Sequence, residues 1–347
     1  MAGGVPFRLG AGVFSRWDAI FYHSIAVDGY PRSLPLDASG AITGNNWAFF
    51  PAFPATAGLL MRATGLAFDR AAILLNVIAG AIATLCLGTL ARRFLPDRQA
   101  LGVVTLFAFF PTSFVLQVPY AEAMYLAFAA GCLVALAGAR DRLAAVLLLG
   151  AALSRGVVLP LAAAAWWRVW SGWRSADTKR RRDLGVLAGV ATISPMLWVA
   201  VAGLVTGQPD AYAATQRAWR YAFDPALTLT RWYQVIGDLG RDGYLTAIVL
   251  TLIAAAVLTM VSFRLKMPAY VRVYTLLSTV LLFALAQPGA VAFTSVPRFA
   301  FGIATFPLLL TLVLRRTWAV LAVTVVFVWL QYLWVLYVWS GWRGVAP

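Results

Sequence analysis

The chain has 347 residues, 62% hydrophobic and 12% charged, with a mean hydropathy of +0.80 and a formal net charge of +15. Continuous apolar runs of roughly 20 residues exclude an alternating outer-membrane barrel and predict an all-α, polytopic integral membrane bundle. The basic residues fall in short loops between these runs, which argues against a nucleic-acid face, while Cys86, Cys132 and a single histidine leave little material for a disulfide framework or a zinc or iron site.

Residues 1–16 lack the apolar core of a secretory signal. Residues 49–66 follow, with Pro51 and Pro54 inside an apolar stretch, and are expected to lie at the interface without crossing; Trp47, Phe49, Phe50 and Phe53 suit the headgroup level. Spanning segments are predicted at 70–92, 120–139, 184–206, 244–265, 269–287, 299–314 and 318–340. Shorter apolar pieces at 99–110, 143–153 and 157–170 bring the expectation to about ten membrane helices. The arginine clusters at 92–98, 140–142, 168–182, 264–272 and 315–316 then share one side, the cytoplasm by the positive-inside rule. Residues 1–69, the turns near 110–119 and 288–298, the neighbourhood of Arg155, the loop 207–243 and the C-terminus face the other way. The chain reads as one domain, 1–347, with residues 1–69 outside, helices at 70–206 and 244–340, and an outer loop at 207–243.

Asp18, between Trp17 and the aromatics Phe21 and Tyr22, has two readings. It is either a general base for a hydroxyl nucleophile, or a helix N-cap beside an interfacial tryptophan. Asp28 precedes Gly29-Tyr30-Pro31 and reads as a turn residue. His23 lies five positions from Asp18 and so falls on another helix face. Asn45 and Asn46 are turn residues or partners of sugar hydroxyls. Glu122 and Arg155 lie at or within apolar segments, where an ionisable group is costly and marks a cavity or a partner. A favourable helix-dipole position is the plainer account of Glu122, and snorkelling that of Arg155. Arg298 begins a membrane helix from the same face, and with Arg155 it suggests a fork of permanent cations for a phosphate or pyrophosphate on a lipid. The tract 168–182 reads as a topology and lipid-contact loop. In 207–243, Arg217, Arg220 and Arg231 interleave with aromatics, as in a surface-lying amphipathic helix.

Trp17-Asp18, Tyr22, Ile25-Ala26 and Gly29-Tyr30, followed by Ala48-Phe49-Phe50-Pro51 and Phe53-Pro54, resemble the glycosylphosphatidylinositol mannosyltransferase II (PIG-V-like) family of GT-C-type membrane glycosyltransferases. Phe110-Pro111-Thr112-Ser113, Tyr120-Ala121-Glu122-Ala123, Ser154-Arg155 and Pro297-Arg298-Phe299 extend the resemblance over most of the chain. It implies inverting transfer of mannose from a polyprenyl- or dolichyl-phosphate carrier to a hydroxyl acceptor on a glycolipid, glycan or protein, at the non-cytoplasmic face. Asp18 would be the base. Trp17, Tyr22, Asn46, Glu122, Arg155 and Arg298 would contact substrate, with the two arginines stabilising the leaving phosphate. No cofactor is required by this reading, and a divalent metal is optional. The membrane would be the plasma membrane of a bacterium or the endoplasmic reticulum of a eukaryote. Members of the family carry a membrane helix ahead of the Trp-Asp pair, whereas only 17 residues precede Asp18 here; a fragment, a misassigned start and a true lack of that helix are the three accounts.

Two rivals use the same residues. A transporter or flippase of a lipid-linked sugar needs the cavity and the arginines but no base at Asp18. A non-catalytic scaffold whose outer aromatic loops bind a partner tolerates loss of Asp18 altogether.

Overall fold

In a computed structural model, which describes residues 16–219, 225–265, 267–288 and 291–336, the first ordered element begins at Asp18. Helix α1 (Asp18–Asp28) stops at Gly29, whose φ of 79° lies in the left-handed region that glycine enters without a Cβ penalty. After a long loop, α2 (Ala52–Thr64) carries Pro54 in its first turn, where proline costs no intrahelical hydrogen bond. The two helices cross so closely that a Cβ at Gly58 would sit 2.8 Å from the Ala26 carbonyl oxygen.

The loop between them folds on itself through an isolated antiparallel bridge between Leu36 and Ile42. Asp37 organises its tip: its Oδ1 accepts from the Ser39 hydroxyl and from the Ser39 and Ala41 N–H groups, which hold the carboxyl below its ordinary range. The expectation that Trp47, Phe50 and Phe53 face lipid headgroups is corrected. Trp47 is 1% exposed and Phe53 is fully buried. Trp47 Nε1 donates to the Pro31 carbonyl at 2.9 Å, the Tyr30 hydroxyl donates to the Phe49 carbonyl at 3.1 Å, and the Trp47, Tyr30 and Trp198 rings pack together. With the polar end of each ring satisfied by backbone, the apolar body is worth more inside a core than at an interface. These aromatics fill a cap over one end of the bundle.

The bundle follows as α3 (Phe68–Ala91), α4 (Asp97–Ala108), α5 (Glu122–Ala137), α6 (Asp141–Ser154), α7 (Leu159–Trp173), α8 (Thr178–Ile193) and α9 (Leu197–Thr206). Then come α10 (Ala211–Ala218), α11 (Pro225–Gly237), α12 (Gly243–Arg264), α13 (Ala269–Leu285), α14 (Val296–Phe301), α15 (Phe306–Leu314) and α16 (Thr317–Trp334). Small residues let the central pair approach: Ala72, Ala79 and Ala83 of α3 and Ala129 and Ala130 of α5 are all buried. By length and composition, α3, α12 and α16 can cross a membrane, and up to five spans result if each bent pair counts as one. One pair is α8 and α9, bent by 55°, and the other joins Phe293–Phe301 to Phe306–Leu314 at 71°. Each predicted segment at 184–206 and 299–314 is therefore broken, at Pro195 and near Pro307, because proline removes a helical hydrogen bond. The expected count of about ten included α4, α6 and α7, which at 12, 14 and 15 residues are about 18–22 Å long and shorter than a hydrocarbon core of about 30 Å. The chain is an integral membrane protein with an all-helical bundle, and among the described residues no strand occurs.

The arginine-bearing ends of α3, α5, α7 and α13 converge on one end of the bundle, and the start of α5 and the end of α6 lie at the other. The readings that concern residues 1–15, Arg220, Lys266 and the final predicted span beyond 336 lie outside the described residues.

Candidate active site

Four charged side chains from distant parts of the chain meet where the cap sits on the bundle. Asp18 is the first residue of α1, where a carboxylate is favoured by the helix dipole. Its side chain caps no backbone N–H. Trp17 occupies the cap position instead, with φ 57° and ψ −120°, a costly backbone region for a bulky residue. Asp18 Oδ2 accepts a hydrogen bond from Arg298 at 2.8 Å.

Glu122 opens α5 and therefore also gains from a helix dipole, but its side chain is only 3% exposed and needs more than that. Its Oε1 is ion-paired with Arg155 and lies 3.4 Å from Arg298 Nε. Arg298, 7% exposed, thus bridges both carboxylates, with Ser295 Oγ a further 3.4 Å partner. Its guanidinium also lies 5.1 Å from the centre of the Tyr120 ring and 5.5 Å from that of Phe299, which Arg155 approaches at 5.6 Å. Such contacts of guanidinium with aromatic faces help offset the cost of taking it out of water. The expected phosphate clamp of Arg155 and Arg298 is therefore not open: each guanidinium is already held by a carboxylate.

Several neutral groups fix this arrangement. Asn76, fully buried in the middle of α3, donates its amide to the carbonyls of Val118 and of Tyr120, the latter at 2.8 Å, and so holds the segment leading into Glu122. The Tyr125 hydroxyl donates to the Val157 carbonyl at 3.2 Å, which fixes the link carrying Arg155. The Thr112 hydroxyl donates to the Pro297 carbonyl at 3.2 Å, just ahead of Arg298. A cavity opens beside the charges, lined by Glu122, Arg155 and Arg298 together with Leu281, Leu285 and Ile303.

The other sequence candidates have definite places. Tyr22 is buried, packed edge-on against Phe49 and Phe53, and burial followed by the nearby Glu122 charge pushes its phenol well above the ordinary value, so it stays a neutral hydroxyl. Trp17 packs against the main core with its Nε1 buried and unpartnered. Asn46 spends its amide on Ser24 Oγ and the Gly29 carbonyl, at 3.2 and 3.0 Å, and Asn45 bonds Thr215 and the Trp47 N–H. Both are thereby occupied in holding the cap. His23 stacks on Phe68 at 4.8 Å, and Asp28 closes α1 at the expected turn. Trp219, at the end of α10, packs edge-on against Phe21 and Phe49 and covers α1. Asn76, Tyr125 and Trp219 escaped the sequence reading; an amide inside the apolar run of α3 was the available signal for the first.

No protein-family model matches the chain, and no curated protein does. A crystal structure of the Archaeoglobus fulgidus oligosaccharyltransferase, in complex with zinc and sulfate, matches with a TM-score of 0.51 and 13% identity over 97% of this chain and 49% of that one. The chain spans about half the length of that enzyme. At this identity the likeness concerns the fold alone, an all-helical bundle shared with part of that oligosaccharyltransferase. Among the described residues no group of three or more His, Cys, Asp or Glu gathers. Asp18 and Glu122 are both tied to arginine.

Proposed function

We propose that the chain is a GT-C-type membrane glycosyltransferase that moves mannose from a polyprenyl- or dolichyl-phosphate carrier to a hydroxyl acceptor, with inversion, at the non-cytoplasmic face. The observation that carries this reading is the Asp18–Arg298–Glu122–Arg155 constellation beside a cavity walled by leucines. A phosphate on an isoprenoid chain asks for that combination: forked cations for the head and apolar surface for the tail.

In this reaction the acceptor oxygen attacks the anomeric carbon while Asp18 takes the hydroxyl proton. The bond from the anomeric carbon to the phosphate oxygen breaks, and the phosphate leaves with the electron pair. Arg298 and Arg155 stabilise the charge that grows on it. An arriving phosphate competes with both carboxylates for these guanidiniums, and Arg298, once drawn toward phosphate, releases Asp18 to face the acceptor. Glu122 keeps the two cations in place between turnovers. Tyr22 and Trp17 border the path of the acceptor, and residues 16–69 with the described part of 207–243 form the covering outer loops.

The test is transfer of radiolabelled mannose from polyprenyl-phosphate mannose to endogenous acceptors in membranes bearing the wild-type chain or Asp18→Asn at equal levels. A product made by the wild type and lost in the variant is expected. Equal product from both would remove Asp18 as the base, and none from either would turn the reading toward a transporter or another donor.

A further inference from the structure

At the opposite end of the bundle lies a second cleft, lined by Arg93, Arg168, Arg180, Trp167, Tyr270 and Phe94. The 16 residues of α5 separate it from Glu122, and at a rise of ~1.5 Å per residue that is about 24 Å. We propose that this cleft binds the phosphate of an anionic phospholipid headgroup. The site is independent of the chemistry at Asp18.

Three guanidiniums line it, and none of its described lining residues is acidic. Arg168 is fixed from behind by the buried Asp141, whose carboxylate accepts from Nε at 3.1 Å and from a terminal nitrogen at 3.4 Å. One positive charge is thereby neutralised and two remain. Arg93 is steadied by donating to the Ala137 carbonyl, at 3.0 Å, at the C-terminus of α5. Both guanidiniums lie against glycines. A Cβ at Gly138 would stand 3.3 Å from an Arg93 terminal nitrogen, and one at Gly172 would stand 3.2 Å from an Arg168 terminal nitrogen.

Forked donors for a phosphate thus sit beside Trp167 and Tyr270, rings suited to the headgroup level, and beside Phe94, which offers apolar surface to an acyl chain. Inorganic phosphate shares the head chemistry but lacks the chains, which separates the two sources experimentally.

The full chain in a zwitterionic detergent is titrated calorimetrically with short-chain phosphatidylglycerol, with the matching phosphatidylcholine, and with inorganic phosphate. Saturable binding of the first, and weaker binding of the other two, is expected. Arg93→Gln with Arg180→Gln should weaken phosphatidylglycerol roughly tenfold or more, since charge-assisted hydrogen bonds are lost. Arg174→Gln with Arg182→Gln, which removes as much charge from the same loop region outside the cleft, should leave it unchanged. Equal weakening by both pairs would overturn the proposal in favour of a general basic surface. Inorganic phosphate binding as tightly as the lipid would make it a soluble-anion site, and phosphatidylcholine binding as tightly would remove the charge selection. Arg180→Gln alone carries the same test if the double variant fails to fold.

Discussion

Arg298 donates to Asp18 across 280 residues of sequence while its Nε faces Glu122, so one buried guanidinium joins the first helix of the cap to the start of a central bundle helix. The two carboxylates differ in setting: the Asp18 side chain is 30% exposed and that of Glu122 only 3%.

That difference separates their variants. Asp18→Asn should lower the proposed mannose transfer by about 10²–10⁴-fold for the loss of a general base, with little change in the unfolding midpoint. Glu122→Gln leaves Arg155 without its buried counter-charge and Arg298 with Asp18 alone, and should destabilise the fold by about 3 kcal/mol as well. Unfolding followed by tryptophan fluorescence, beside the transfer assay, distinguishes the two. An Asp18→Asn protein as unstable as Glu122→Gln would make Asp18 a structural partner of Arg298.

Asn76 is predicted to act through Glu122. Asn76→Leu removes both amide donors and strands the Val118 and Tyr120 carbonyls, a loss of about 1–3 kcal/mol. Transfer should fall further than stability alone explains, because the Tyr120–Glu122 segment loses its hold. The measurement is activity per folded molecule below the unfolding midpoint, and wild-type activity there would limit Asn76 to packing.

Gly58→Ala places a methyl group against the Ala26 carbonyl, at the 2.8 Å separation noted above. Both neighbours are backbone, so relief requires α1 and α2 to separate. The expected cost is about 1–3 kcal/mol, read as a lower midpoint of thermal unfolding. Gly185→Ala, at a helix position with open space around it, is the control and should not lower the midpoint.

Glu122, Arg155 and Arg298 were legible in the sequence because a charge in an apolar run must find a partner, and all three did. Their mutual pairing was not legible, since nothing local links residues 18, 122, 155 and 298. Trp47 and Phe53 were misread because aromatic composition is the same for an interface and for a core, and only the Pro31 carbonyl at the Trp47 indole reveals which. Pro195 and Pro307 marked the two broken helices, yet hydropathy averaged over a window passes over a single proline. Asn76 carries no formal charge, so the argument that flagged Arg155 did not reach it.

Two carboxylates and two guanidiniums sum to zero. These four groups therefore cast little potential beyond the walls of the site, and salt at physiological strength screens what remains within about 8 Å. An anionic ligand is not steered there from a distance. It arrives by diffusion and is selected on contact, by exchanging one set of partners for another, so its rate of encounter is nearly independent of ionic strength.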